Sequence, residues 1–153
     1  SLGLNQSRRG QTMNYTGAQG ALQYYRKVGV QAGITDATPH RLIQMLLEGA
    51  MEKISTAKGL MSHGMLAEKG RMVSWAISII GGLRASLNLD EGGEIARNLD
   101  ALYDYMERRL LDANLHNDAA ILDEVLNLLR EIKQGWDAIP ESYKSGRRQA
   151  VGA

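Results

Sequence analysis

Apolar residues recur every three to four positions through four long stretches of this chain, separated by short polar or glycine-rich breaks. The first stretch opens at "TPHRL", where Thr38 suits a helix N-cap and Pro39 the first helical position. Its stripe runs Ile43, Leu46, Leu47, Ala50, Ile54, Ala57 and Met61, and "SHG" at 62–64 ends it. A second helix is expected over roughly 65–88, with Leu66, Val73, Ile77, Ile80 and Leu87 on one face. "NLDEGG" closes it. A third helix over about 93–114 turns Ile95, Leu99, Leu102, Met106 and Leu110 inward. After "LHND", with Asp118 as N-cap, a last helix carries Ile121, Val125, Leu128, Ile132 and Trp136 until Pro140 stops it. No strand pattern competes. Four helices of about 20 residues joined by short turns pack as an all-α, antiparallel up-down-up-down four-helix bundle.

The ends of the chain lack this periodicity. Residues 1–37 read as an N-terminal extension and mobile arm, with a short helix around 18–27 carrying Leu22, Tyr24, Tyr25 and Val28. Met13 is a candidate start, which would make residues 1–12 an upstream extension. The bundle domain is expected over 38–139, and residues 140–153 are expected to be a disordered C-terminal tail.

A bundle helix needs one apolar stripe, yet the second helix has two. With about 100° per residue and a core centred on Val73, Ile77 and Ile80, Met72, Trp75 and Ile79 fall on the opposite side, with Leu83 at the margin. Gly82 and Ser86 continue this back stripe with small side chains, which leaves room for another backbone. The last helix is widened in a weaker way by Leu122, Leu126 and Leu129. Such surface, left wet, promotes aggregation, so a cover is expected. The N-terminal arm, a second copy of the chain, or an amphipathic helix from another protein could each supply it.

On the third helix the core centres near Leu102 and Met106, which puts Tyr103 on one edge and Tyr105 on the other, with Asp104 toward solvent. Each ring can pack on a neighbouring helix and keep its hydroxyl at a rim, so both tyrosines are expected to border grooves. Arg109 lies on the Tyr105 side.

Composition narrows the function. The 153 residues suffice for one domain with a real core, and the chain has no cysteine, hence no disulfide or thiolate chemistry. No apolar run approaches a membrane span. Setting Arg8, Arg9, Lys144, Arg147, Arg148 and Glu141 aside from 18 basic and 17 acidic residues leaves 13 against 16, a body of net −3. An acidic body argues against nucleic acid. His40, His63 and His116 are scattered, no Glu-x-x-His pair occurs, and Asp112 with His116 makes only two ligands. No phosphate-binding glycine loop is present. The expectation is no enzyme, no metal and no cofactor.

The stretch "LDEGGEIARNLDALYDYMERRLLDANLHNDAAILDEVLNLL", with Trp136 beyond it, resembles the signature half of the flagellar export chaperone family FliS. "TPHRLIQMLLEGA" at 38–50 is similar to the family's earlier marker, and the likeness spans about residues 18–138. His40 and Arg41 depart from it, because many members place acidic residues there. The resemblance implies an antiparallel helical bundle that binds the disordered C-terminal segment of flagellin in the cytoplasm. The segment becomes largely helical, is kept from premature polymerisation and stays competent for the flagellar type III export system. It also implies that Leu22 and Tyr25 in "LQYY" anchor an arm over the binding surface. Secondary partners such as the export gate or regulators of flagellar genes are compatible with the family and unmarked in the residues. A monomer or weak homodimer is expected; the alternative is a structural homo-oligomeric bundle or adaptor with no flagellin role.

Overall fold

The computed structural model describes residues 38–139. The expected arm, including Leu22 and Tyr25, and the expected tail after Ile139 lie outside the described residues. Within them, four helices follow in order: α1 (Pro39–Ser62), α2 (Leu66–Ala85), α3 (Gly93–His116) and α4 (Ala119–Asp137).

Local chemistry sets most of these limits. Thr38 is extended and its hydroxyl accepts from the Arg41 amide at 3.1 Å, which starts α1 with Pro39 in the first turn. Gly64, at φ +70°, reverses the chain after α1, a left-handed conformation that glycine adopts without penalty. Gly92 must also be glycine. A Cβ there would sit 2.5 Å from the Ala96 Cβ and 2.6 Å from the Asn88 carbonyl oxygen. Asn117 closes α3 in the left-handed region at φ 51°, and Asp118 opens α4 by accepting from the Ala120 amide.

The helices form a ring, each packed against its two sequence neighbours, with α4 returning to α1. The α1–α2 pair packs most extensively and α3–α4 least. Side-chain pairs confirm the antiparallel directions. His40, at the start of α1, stacks on Trp136 near the end of α4 with ring centroids 4.7 Å apart. His40 Nε2 donates to the Trp136 carbonyl, and Trp136 Nε1 donates to the His40 carbonyl, both at 3.0 Å. At the other end Lys58 pairs with Asp123 at 2.7 Å. Between α2 and α3, Arg84 reaches Asp100, Asp104 and Glu107.

The core draws on all four helices: Leu46, Ile54, Val73, Ile80, Met106, Leu110, Val125 and Leu129 are among its buried members. At about 25 cal/mol per Å² of apolar surface removed from water, this shared interior is the main stabilising term. One charge lies inside as well. Lys69 is buried at the start of α2 and donates to the Asn114 carbonyl at 2.9 Å and to Asn117 Oδ1 at 2.7 Å. Its ammonium thereby satisfies a carbonyl in the last turn of α3, where a cation is also favoured by the helix dipole.

Candidate functional site

The back stripe of α2 is not an outward surface. Ile79 and Leu83 are fully buried members of the core, while Met72 and Trp75 are half-buried against it. The ammonium of Lys53, on α1, stands 4.0 Å from the Trp75 ring centre. That contact shows which way the stripe faces: toward α1. In a ring of four, every helix has two neighbours and buries two stripes, one for each. The helical wheel registered the second stripe correctly and misjudged what it meets. Ala76 is buried and Ile77 only half-buried, so the true core arc is rotated away from the Val73–Ile77–Ile80 centre.

The same reasoning corrects α4. Leu122, Leu126 and Leu129 are buried, and their stripe continues one turn later into Lys133, which reaches Glu48 on α1. The widening is therefore the α1-facing side, not spare surface.

The two tyrosines separate. Tyr103 is buried in the core instead of lining a rim, and loss of solvent pushes its hydroxyl up to about 12. Tyr105 does lie at an edge. Its hydroxyl donates to Glu124 on α4 at 2.5 Å, and Arg109 donates to the other oxygen of that carboxylate at 3.0 Å. The bond from Tyr105 first, and Arg109 second, holds Glu124 below the usual carboxylate range. Asp104, expected toward solvent, is partly exposed and accepts from Arg84 and Arg108.

An apolar surface that the wheel assigned to the interior is found outside. Ile95 is 75% exposed. It heads a stripe with Leu99 and Leu102, at i, i+4 and i+7, both half-buried. The Tyr105–Glu124 and Arg109–Glu124 bonds set the antiparallel register of α3 and α4. By that register Leu102 is level with Leu128, Leu99 with Ile132, and Ile95 with Gly135. Leu128 and Ile132 are half-buried too, and a Cβ built on Gly135 would meet nothing within 4 Å. The least extensively packed of the four neighbouring pairs thus carries a seam of half-buried aliphatic side chains that leads to Ile95 and Gly135, a candidate groove. Tyr105, Glu124 and Arg109 bound its other end. Over Ile95 to Tyr105 it runs about 15 Å, or nearly three helical turns.

A second group of exposed apolar side chains, Met65, Leu66, Leu111 and Leu115, shares the opposite end of the bundle where α2 begins and α3 ends. Leu66 was expected inward and is 48% exposed. Among the described residues no three His, Asp or Glu side chains converge as a metal-binding set, and no helix is long and apolar enough to cross a membrane.

The model of the family described as flagellar protein FliS matches residues 21–143. The chain belongs to the FliS family. It is 49% identical over 122 residues to the flagellar secretion chaperone FliSB of Pseudomonas aeruginosa, covering 80% of this chain and 97% of that one. It is 42% identical over 134 residues to the flagellar secretion chaperone FliS of Vibrio cholerae, covering 88% and 98%. The Salmonella typhimurium FliS chaperone is 45% identical over 119 residues, 77% of this chain and 88% of its own length. The FliS match spans all four helices.

Proposed function

We propose that this chain is a non-enzymatic, cytoplasmic export chaperone that holds the C-terminal segment of flagellin, keeps it from polymerising and hands it to the flagellar type III export system. The observation that carries this reading is FliS family membership across the whole bundle, among relatives named as flagellar secretion chaperones. The α3–α4 groove is the surface we assign to the contact. A segment that is unstructured when free must offset its ordering cost on binding, which calls for a long apolar contact. Ile95, Leu99, Leu102, Leu128 and Ile132 provide one with helical spacing on both walls. Met65, Leu66, Leu111 and Leu115 would take a further apolar stretch of a segment long enough to pass along the bundle. Of the residues expected to bind from sequence, Tyr105 borders the assigned groove. Met72 and Trp75 border the α1–α2 side, and Leu22 and Tyr25 lie outside the described residues.

The test is calorimetric titration of the chain with a peptide of the flagellin C-terminal segment. Full burial of an Ile or Leu side chain is worth about 1.5–3 kcal/mol. Ile95→Asp with Leu102→Asp should therefore weaken binding at least about tenfold while the far-ultraviolet dichroism is unchanged. No binding by the parent chain would refute the chaperone reading; normal binding by the folded double variant would refute the groove.

A further inference from the structure

We propose that the α3–α4 groove selects an amphipathic helix bearing Lys or Arg beside its apolar stripe, and that Glu94 and Glu131 are the residues that make the selection. This rests on the assignment of that groove as the partner site.

The argument is one of charge left over. Most charged side chains that border the helix interfaces are paired: Arg84 with Asp100, Asp104 and Glu107, Arg109 with Glu124 and Asp112, Lys58 with Asp123, and Lys133 with Asp137 and Glu48. Around the open end of the groove the pattern changes. Glu94 adjoins Ile95 on the α3 wall, and Glu131, seven residues after Glu124 on the same side of α4, borders Ile132. Both are exposed, and among the described residues neither forms an ion pair. Asp90 and Glu91, in the turn that leads into α3, are likewise exposed and unpaired.

Among the described residues no cation stands within ion-pair distance of either glutamate. Arg97 is one turn along α3 from Glu94, about 60° around the helix, and Arg130 adjoins Glu131 but donates to Asn127; neither forms an ion pair with these carboxylates. Lys133 lies about 200° around α4 from Glu131 and is held by Asp137 and Glu48. Arg109 sits at the closed end and is already shared by Glu124 and Asp112. The groove thus presents an aliphatic floor between two walls whose rims carry carboxylates that no cation among the described residues pairs.

A helix laid on that floor has its own flanks directly above the rims. Basic flanks would find complementary charge, whereas acidic flanks would meet repulsion, which discriminates between partners more than it adds affinity. The floor fixes the apolar part of the motif: residues at i, i+3 or i+4, and i+7, over two to three turns.

Two synthetic peptides with an identical apolar stripe, one with lysine flanks and one with glutamate flanks, test this against the full chain. At low salt the lysine peptide should bind about fivefold or more tighter, and the preference should vanish at 1 M salt. Glu94→Gln with Glu131→Gln should remove the preference while leaving the apolar component, and Ile95→Asp should weaken both peptides. Equal binding of the two peptides by the parent chain would overturn charge selection; the chaperone reading would survive if the flagellin segment still bound in an Ile95-dependent manner. If deleting residues 140–153 strengthens the lysine peptide, the rim belongs to the chain's own basic segment and the proposal of a foreign basic helix falls. A concentration-dependent dimer abolished by Ile95→Asp would assign the groove to a second copy and overturn it equally.

Discussion

Ile79 and Ile95 exchange the roles that their spacing suggests, and comparing their alanine variants tests the corrected core directly. Ile79 is fully buried between α2 and its neighbours, whereas Ile95 is 75% exposed. Truncating a buried isoleucine removes the transfer free energy of the lost methyls and leaves a cavity, together about 2–5 kcal/mol. For a domain of about 100 residues each kcal/mol shifts the melting temperature by about 4–8 °C, so Ile79→Ala should melt at least about 8 °C below the parent. In urea, with a slope of about 1–3 kcal/mol per M, the midpoint should fall by roughly 1 M or more. Ile95→Ala removes little buried area and replaces a β-branched residue with the best helix former. Its stability should stay within about 0.5 kcal/mol of the parent. Dichroism-monitored urea unfolding of the three proteins decides the matter. Equal midpoints for Ile79→Ala and the parent would show that Ile79 is not core and would restore the outward stripe. The comparison also governs binding experiments. Ile79→Asp would bury a carboxylate in the core, so any loss of partner binding in it would report unfolding.

Lys69→Met should keep the aliphatic stem but strip the donors from the Asn114 carbonyl and Asn117 Oδ1, costing about 1–3 kcal/mol by urea unfolding; an unchanged midpoint would show that the ammonium is dispensable to the end of α3. Acid should weaken the α3–α4 contact. Because Glu124 is held below its unfolded value, about 4.3, its contribution is present above that pH and is lost as pH falls through the lower folded value. Glu107 runs the other way: burial raises it, so its carboxylate disfavours the fold as pH rises through the folded value. Glu124→Gln should therefore narrow the difference between the urea midpoints at pH 7 and pH 3, and a difference as large as the parent's would refute the sign.

Helix existence, helix limits and the antiparallel order were legible along the chain because they depend on near neighbours. Thr38 and Asp118 cap within their own turns, Gly64 takes a left-handed φ, and Gly92 sits where a Cβ would collide with Ala96 and the Asn88 carbonyl. The family likeness was equally legible, since it resides in a long local motif. Which apolar stripe met a neighbour and which met water was not. A helix in a ring of four buries two stripes, and periodicity alone cannot distinguish a stripe facing α1 from one facing solvent. Ile79 and Leu83 were misread as outward for that reason, as were Leu122 and Leu126, while Met72 and Trp75 are half-buried.

Tyr103 and Tyr105 show the same division on one turn of helix. Their positions about 200° apart follow from the sequence and the helical repeat. That one is enclosed by the core while the other donates to Glu124 depends on how closely α2 and α4 approach α3 from either side. Ile95 completes the case. Its spacing groups it with Leu99 and Leu102, yet only the register of α3 against α4, with Gly135 opposite, leaves it uncovered. The sequence determined the helices, their order and their apolar faces, because these arise from interactions within about four residues. The tertiary structure decided which faces remained open, because that depends on the spacing and rotation of helices far apart in the chain.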